Sequence, residues 1–252
     1  MTMTPEQSSR ARELAHRLRS VRNRIAAATA PDGQNEPHLI VVTKYFPASD
    51  VRILRDLGVR DVGENKDQEA AAKAAELADP ELNWHFIGQL QSNKAKSVVR
   101  YAASVHSVDR LSLVSALGKA MGAEQRRRAD GGVPQRPDLS CFIQVDLRPG
   151  PAREADPGRG GAAPEDVAGL ADAVAGTTGL RLAGLMAVAP LGEDPDAAFG
   201  RLNSLSLQLQ QNHPQARSIS AGMSGDLEAA LANGATHLRI GSDVLGARPP
   251  VR

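Results

Sequence analysis

The apolar run His38-Leu-Ile-Val-Val-Thr-Lys44 ends on a lysine, and it is the clearest indication of how this chain folds. Val41 and Val42 are β-branched, and prolines 37 and 47 bound the apolar run, which is typical of a short strand buried on both faces. An ammonium group at the end of such a strand is partly removed from water, and this favours the neutral amine that attacks aldehydes. A lysine that extends into solvent from a strand end is the alternative. The rest of the chain has to decide between the two.

The same pattern, a short apolar run followed by a polar turn and a helical stretch, recurs along the chain. It predicts strands at 38–44, 60–65, 83–88, 104–109, 140–147, 181–190, 217–224 and 237–246. Amphipathic stretches predict helices at 49–57, 66–78, 92–101, 111–121, 164–175, 195–211 and 224–232. This alternation indicates an α/β protein, a single-domain (β/α)8 TIM barrel, whose typical length of about 250 residues fits this chain. A doubly wound sheet is the main alternative, but its common nucleotide-binding glycine motifs are missing from the sequence.

We therefore expect one domain over residues 1–252, with an N-terminal helix at 1–30 and the barrel at 38–248. Thr4 and Gln7 form a candidate capping box around Pro5, and the helix has one apolar stripe at Leu14, Leu18, Val21 and Ile25. Its other residues are rich in arginine. We interpret them as a solvated face rather than as a nucleic-acid patch, because no aromatic residues are interleaved with them.

Composition narrows the function further. The 30 basic and 29 acidic residues give a net charge of +1, so no overall field favours nucleic acid or an anionic membrane as a partner. The N-terminus lacks the apolar segment of a signal peptide and no stretch could span a bilayer, so we expect a cytoplasmic protein. Cys141 is the only cysteine, which excludes an internal disulfide and a cysteine-built zinc site. We expect it to be a buried, inert thiol.

Two stretches interrupt the pattern, and both are expected to be loops. Residues 122–138 precede the fifth predicted strand and would lie on the N-terminal face of the barrel. Residues 148–163 follow that strand and would lie on the C-terminal face, where barrels carry their sites. Arg159-Gly-Gly161 could contact a phosphate there, although unpaired basic loops are usually only solvated.

Polar side chains collect at the predicted C-terminal ends of the strands, where TIM barrels place functional residues. Lys44, Asn65, His85 and Met186 occupy or approach these ends. Each has an ordinary alternative: Asn65 as a turn former, His85 as a hydrogen-bonded core imidazole and Met186 as packing.

The last two strand ends resemble a phosphate site. In Gly222-Met-Ser-Gly-Asp226, Ser224 is a candidate N-cap of a helix that runs to about residue 232, and a helix start offers free N–H groups to an anion. Gly241-Ser242 predicts a second small loop, and barrels often bind phosphate with the loops after strands seven and eight. An amine at one end of the site and a phosphate cradle at the other fit a phosphorylated aldehyde such as pyridoxal 5′-phosphate (PLP).

Arg239, on the eighth strand, then acquires a role. Its guanidinium could donate to the pyridine nitrogen of PLP, and because arginine keeps its proton, that nitrogen would stay unprotonated and the ring would be a poor electron sink. An internal ion pair of Arg239 is the alternative.

These motifs resemble the YggS/PROSC family of pyridoxal phosphate homeostasis proteins, which share the barrel of alanine racemase. The resemblance runs from about residue 38 to 248 and rests on Val42-Thr-Lys44, Gly63-Glu-Asn65, Trp84-His-Phe-Ile-Gly88, Gln91-Ser-Asn-Lys94, His106-Ser-Val-Asp109, Gly184-Leu-Met-Ala187, Gly222-Met-Ser-Gly-Asp226 and Arg239-Ile-Gly241. It implies a PLP fold type III barrel, a Schiff base on Lys44, Arg239 at the pyridine nitrogen and phosphate contacts from the loops at 223–224 and 241–242. Ser242 stands where the family often has threonine, and the loop after the fifth strand is longer here.

The resemblance also implies a PLP carrier without robust catalysis, whose partners would be PLP, PLP-dependent apo-enzymes or free amino acids. Racemization needs a second acid–base group on the face of the cofactor opposite the lysine. The only tyrosines are Tyr45, directly after Lys44, and Tyr101, near the end of a predicted helix. A racemase or lyase and a Schiff-base aldolase without PLP are the alternatives. The predicted cofactor-binding residues are Lys44, Asn65, His85, Met186, Met223, Ser224, Arg239, Gly241 and Ser242, with no catalytic residue and no metal ligand.

Overall fold

A closed barrel of eight parallel strands forms the centre of the computed structural model, which describes residues 5–29, 36–155, 158 and 160–248. The strands are β1 (His38–Val42), β2 (Asp61–Glu64), β3 (Asn83–Phe86), β4 (Ala102–Val108), β5 (Leu139–Gln144), β6 (Leu180–Met186), β7 (Ser218–Ser220) and β8 (His237–Ile240). The barrel closes because β1 pairs with β2 on one side and with β8 on the other, from His38 opposite His237 to Val41 opposite Ile240. The predicted (β/α)8 fold is confirmed.

Helices surround the strands. They are α1 (Pro5–Ala28), α2 (Ala48–Asp56), α3 (Asp67–Leu77), α4 (Ala95–Val98), α5 (Leu111–Asp130), α6 (Gly150–Ala155), α7 (Val167–Ala175), α8 (Pro195–Asn212), α9 (Leu227–Ala232) and α10 (Ser242–Leu245). The four apolar residues predicted to form the stripe of α1 are all buried. Through these residues α1 packs against α2, α9 and α10, beside the place where β8 pairs with β1 and closes the barrel. The predicted cap Thr4 lies outside the described residues.

The core has two parts, because alternate residues of each strand face opposite ways. The outward set packs against the helices and includes Val41, Val62 and Cys141, whereas Phe142, Ala183 and Met186 form a separate cluster inside the barrel. Cys141 is fully buried, and this burial raises the pKa of its thiol to about 12. The thiol therefore stays protonated, as an inert core residue does.

Two expectations about helix lengths were wrong. The helix predicted to stop at Met121 continues to Asp130, because Glu124 is buried on its inner face and pairs with Arg127 at 2.7 Å. The arginine-rich end of this helix had suggested a loop. The helix predicted at 164–175 begins with a 3-10 turn at Pro164–Asp166 and is α-helical only from Val167, and the loop expected at 148–163 contains the short helix α6. Arg159, the candidate phosphate contact in that loop, lies outside the described residues.

Glycine is required at two positions in the last part of the barrel, where the backbone closely approaches neighbouring atoms. Gly184 in β6 has φ +150°, and a Cβ atom there would lie 1.8 Å from the carbonyl oxygen of Ser218 in β7. Gly222 has φ +88°, and a Cβ atom there would lie 2.8 Å from both Ala230 and Leu238. The backbone can therefore turn sharply after β7 and place residues 223–225 at the C-terminal end of the barrel. No helix among the described residues is long and apolar enough to cross a membrane.

Candidate functional site

Lys44 lies just beyond the end of β1. The strand ends at Val42 rather than at Lys44, although the N–H of Thr43 still donates to the carbonyl of Gly63 at 2.9 Å. The chain leaves the sheet here because Tyr45 adopts a left-handed conformation with φ +71°. The Lys44 side chain is half-buried, and its Nζ lies 5.9 Å from the centroid of the Tyr45 ring. Within the described part of the chain, the Lys44 ammonium has no hydrogen-bond or ion-pair partner.

Tyr45 is fixed on both sides. Its N–H donates to Glu69 Oε1 at 2.7 Å, and the guanidinium carbon of Arg248 lies 3.7 Å from the centre of its ring. A second amine, Lys66 Nζ, lies 5.9 Å from the same ring centre. The two lysines thus flank one aromatic ring, and Lys66 is a matched comparison for Lys44.

A buried ion cluster lies behind the Lys44 loop. Lys73 Nζ contacts Glu64 Oε1 and Glu69 Oε1, each at 2.7 Å, and donates to the Thr43 carbonyl at 2.9 Å. Thr43 Oγ1 also donates to Glu64 Oε1, at 2.6 Å. Burial raises the pKa of Glu64, against the opposing effect of Lys73. The cluster ties α3 to the residues on either side of Lys44 and fixes the position of the amine.

Sequence reasoning missed Lys73 as a member of this cluster. The available signal was its spacing: Glu69 and Lys73 lie four residues apart in an alanine-rich helix, the arrangement that pairs charges along a helix face. The burial of that face was not visible in the sequence.

The loops after β7 and β8 meet at the same end of the barrel. Ser242 Oγ donates to Ser224 Oγ at 3.1 Å. Gly241 lies directly beside β1, since a Cβ atom there would be 3.4 Å from the Val42 carbonyl oxygen. The N–H groups of Ser224, Gly225 and Ser242 donate to no acceptor within the described residues. The two hydroxyls and these three N–H groups therefore occur together beside the end of β1. Val42, which Gly241 approaches, is two residues before Lys44 in the sequence.

Ser224 is not a helix cap, contrary to expectation. Helix α9 begins at Leu227 and has only six residues, and Ser224 lies in the turn before it. Asp226 explains the difference, because its Oδ1 accepts from the N–H of Met223 at 2.5 Å and stabilises this turn. The free N–H groups thus belong to a turn rather than to a long helix start.

An arginine of α1 holds the two serine loops together. Arg24 donates to the Ser224 carbonyl at 3.1 Å and pairs with Asp243 at 2.6 Å and with Glu228 at 2.9 Å. These contacts join the loop after β7, helix α9 and helix α10. The sequence had suggested only a solvated face for this residue.

Arg239 is almost completely buried in β8. Its Nη1 donates to Ser220 Oγ at 2.7 Å and its Nη2 to the carbonyl of Ala187 at 2.9 Å. No carboxylate of the described residues lies within ion-pair distance, so the alternative of an internal ion pair is not supported. Burial lowers the pKa of Arg239 to about 10, and the guanidinium remains charged at neutral pH.

The other predicted site residues are placed differently. Asn65 follows β2, and its buried Oδ1 has no hydrogen-bond partner in the described chain. Met186 is buried inside the barrel beside Phe142, and Met223 is 40% exposed. His85 does not join the residues around Lys44, because its Nε2 bonds to Asp61 at the start of β2, at 2.9 Å. That contact directs the imidazole toward the N-terminal end of the barrel.

Comparison with known proteins gives a consistent result. The family model of the alanine racemase N-terminal domain matches residues 10–249. The pyridoxal phosphate homeostasis protein of Corynebacterium glutamicum is 44% identical over 211 residues, which cover 84% of this chain and 90% of that protein. The chain belongs to the pyridoxal phosphate homeostasis protein family.

Two solved structures can be compared with the chain. PipY of Synechococcus elongatus with PLP bound is 34% identical, with a TM-score of 0.74, and the match covers 92% of this chain and all of that one. Alanine racemase of Corynebacterium glutamicum, at 13% identity and a TM-score of 0.64, shares the fold alone. That match covers 93% of this chain but only 60% of the racemase, so the homeostasis family member corresponds to one part of the longer enzyme.

Proposed function

We propose that this chain binds PLP and serves in its intracellular homeostasis, with the cofactor held covalently on Lys44. One observation carries the proposal: the Lys44 amine and three N–H groups, all without a partner among the described residues, lie with two hydroxyls at the same end of the barrel. This combination matches an aldehyde and a phosphate carried by one ligand. The relatives named for PLP homeostasis and the PLP-bound PipY structure support it.

The residues present fit the two ends of PLP. When bound, PLP supplies an electrophilic carbonyl carbon. Lys44 would hold the cofactor covalently through its amine at that carbon. Ser224 and Ser242, with the neighbouring N–H groups, would donate to the phosphate oxygens, as N–H groups in small loops do for anions. Contacts of PLP with Asn65, Met186 and Met223 remain predictions. A contact with His85 also remains a prediction, and the structure directs this side chain toward Asp61 at the N-terminal end of the barrel.

Arg239 would donate to the pyridine nitrogen. Two of its five N–H groups are used by Ser220 and Ala187, so others are available for the ligand. A donor that keeps its proton leaves the pyridine nitrogen unprotonated, which makes the ring a weak electron sink. This favours storage of the cofactor over carbanion chemistry.

A racemase is the second candidate, because the fold is shared with alanine racemase. The tyrosines argue against it. Tyr45 is stacked under Arg248, and Tyr101 lies among the outer core residues, where its hydroxyl donates to Asp67 at 3.3 Å. Burial raises the pKa of Tyr101 far above its ordinary value, so it is a poor proton donor or acceptor for this reaction.

We further propose that residues 1–252 form one domain, that the protein acts in the cytoplasm, and that its partners besides PLP are PLP-dependent apo-enzymes or free amino acids.

We expect the purified protein to retain one PLP per chain after dialysis and to turn over alanine or serine negligibly. Chiral chromatography after long incubation with each enantiomer measures the second property, with Lys44→Ala plus free PLP as the control for uncatalysed racemization. Turnover of about 1 s⁻¹ or faster, which is within the usual enzyme range, would contradict the carrier assignment. Loss of all PLP on dialysis would contradict the binding assignment.

A further inference from the structure

A chain of hydrogen bonds crosses the interior of the barrel and ends on Arg239. We call it the lumen chain, and its members in order are Asp61, His85, Ser104, His106, Ser220 and Arg239. Arg239 Nη1 bonds to Ser220 Oγ at 2.7 Å, and Ser220 Oγ bonds to His106 Nδ1 at 2.8 Å. These three residues come from β8, β7 and β4, so the contacts span the width of the barrel.

The second half of the lumen chain reaches the N-terminal end of the barrel. Ser104 Oγ lies 2.9 Å from His106 Nε2 and 2.6 Å from His85 Nδ1, and the two ring nitrogens are themselves 3.0 Å apart. His85 Nε2 then bonds to Asp61 Oδ1 at 2.9 Å. The connection between the two rings is therefore doubled, once through Ser104 and once directly.

The carboxylate end fixes the direction of the bonds. An ionised carboxylate can only accept, so His85 donates from Nε2 to Asp61, and a neutral His85 accepts on Nδ1. The facing ring nitrogens of His85 and His106 are 3.0 Å apart and need a proton between them, which a neutral His106 carries on Nε2. His106 Nδ1 then accepts the proton of the Ser220 hydroxyl, which itself accepts from Arg239.

The order requires a neutral His106, and the surroundings of His106 favour that form. His106 is completely buried and its ring stacks on Phe142 with 4.2 Å between centroids. Burial holds the pKa of His106 well below its ordinary value. Burial opposes ionisation of Asp61, but the combined effects of His85, Asn83 and His38 outweigh burial, and the pKa of Asp61 is lowered.

We propose that Asp61, His85, Ser104, His106 and Ser220 are positioning residues for Arg239, joined in a hydrogen-bond chain that runs in one direction from the guanidinium to the Asp61 carboxylate. A buried cation without a contacting carboxylate is costly. The aligned dipoles present lone pairs toward Arg239 and carry the compensating negative charge at their far end. The consequence for PLP, a guanidinium held in one orientation toward the pyridine nitrogen, rests on the proposed function.

The PLP-free protein provides the first test. Long-range proton–nitrogen NMR correlation with ¹⁵N-labelled histidine distinguishes the protonated ring nitrogen from the bare one, and single substitutions assign the signals. We expect both His85 and His106 to carry their proton on Nε2 at neutral pH. A proton on Nδ1 of either ring in the wild type would overturn the proposal, whatever the variants do.

Substitutions at the N-terminal end test the coupling. Asp61→Leu removes the acceptor and would leave the buried Nε2–H of His85 unpaired. If every bond of the lumen chain reverses instead, only the proton of the Ser220 hydroxyl is left unpaired, and this hydroxyl can rotate. We expect the Nδ1–H form to appear at His85 and His106 together, although Asp61 does not contact His106. A change at His85 alone, or at neither ring, would contradict the chain.

Two controls accompany this variant. Asn83→Ala removes a donor to the same carboxylate but is not part of the lumen chain, so both tautomers should stay as in the wild type. Asp61→Asn keeps an acceptor oxygen and should also preserve them, and it serves where Asp61→Leu fails to fold. A tautomer change in Asn83→Ala would show that the signals report general disturbance of this end, against the proposal.

The PLP-loaded protein tests the consequence for Arg239. We expect the absorbance maximum of bound PLP to shift in Asp61→Leu and to stay unchanged in Asn83→Ala, because only the former alters the hydrogen bonding of Arg239. An unshifted maximum in Asp61→Leu would remove the positioning role. A wild type that takes up no PLP would contradict the proposed function, while the tautomer measurement on the PLP-free protein would stand by itself.

Discussion

Replacement of Lys44 by alanine is expected to abolish the covalent PLP adduct completely while some PLP remains bound. In the proposed site the Lys44 amine would form the carbon–nitrogen bond to the aldehyde, whereas the loops proposed for the phosphate, at Ser224 and Ser242, are separate from this amine. Borohydride treatment followed by intact mass spectrometry measures the adduct, and fluorescence titration measures the residual binding.

The matched control is Lys66→Ala. Lys66 Nζ lies at the same 5.9 Å from the Tyr45 ring centre as Lys44 Nζ, so both amines are in the same neighbourhood. We expect Lys66→Ala to keep a full trapped adduct. An adduct that persists in Lys44→Ala and disappears in Lys66→Ala would transfer the covalent role to Lys66.

Ser224→Asp is expected to weaken PLP binding by about 100-fold, or about 2.7 kcal/mol. The new carboxylate would lie in the turn beside the Ser242 hydroxyl and the free N–H groups, where it would occupy the donors and repel the phosphate. Equilibrium titration with PLP measures the change. Titration with pyridoxal, which lacks the phosphate, should show little difference between Ser224→Asp and the wild type.

Ser224→Ala is the control for this substitution. It removes one hydroxyl but keeps the N–H groups of residues 224, 225 and 242, so its loss of affinity should be much smaller than that of Ser224→Asp. Equal PLP affinity of Ser224→Asp and the wild type would mean that the phosphate binds elsewhere.

The barrel could be predicted because its strands are buried on both faces and separated by turns and amphipathic stretches, a local signal that needs no tertiary information. The ends of elements could not. β1 stops at Val42 because Tyr45 takes a left-handed conformation stabilised by Glu69, a residue of α3, which follows β2. α5 continues past Gly122 because Glu124 is buried and paired, which a polar sequence does not reveal.

For the candidate site, too, some features could be predicted from local sequence signals and others depend on tertiary contacts. Lys44, Ser224, Arg239 and Ser242 follow from strand order alone, since the ends of parallel strands share one face of a barrel. The turn of His85 toward Asp61 and the contact of Arg24 with Ser224 depend on side-chain directions and on distant pairs. The lumen chain was equally hidden, because its six residues are spread over five strands and each has an ordinary alternative in the sequence.

Peptide mapping of the borohydride-reduced wild-type protein tests whether Lys44 carries PLP. Proteolysis and tandem mass spectrometry would locate the modified lysine after loading with one equivalent of PLP. We expect a single modified site at Lys44. Modification at Lys66, scattered modification of surface lysines, or none at all would contradict the account.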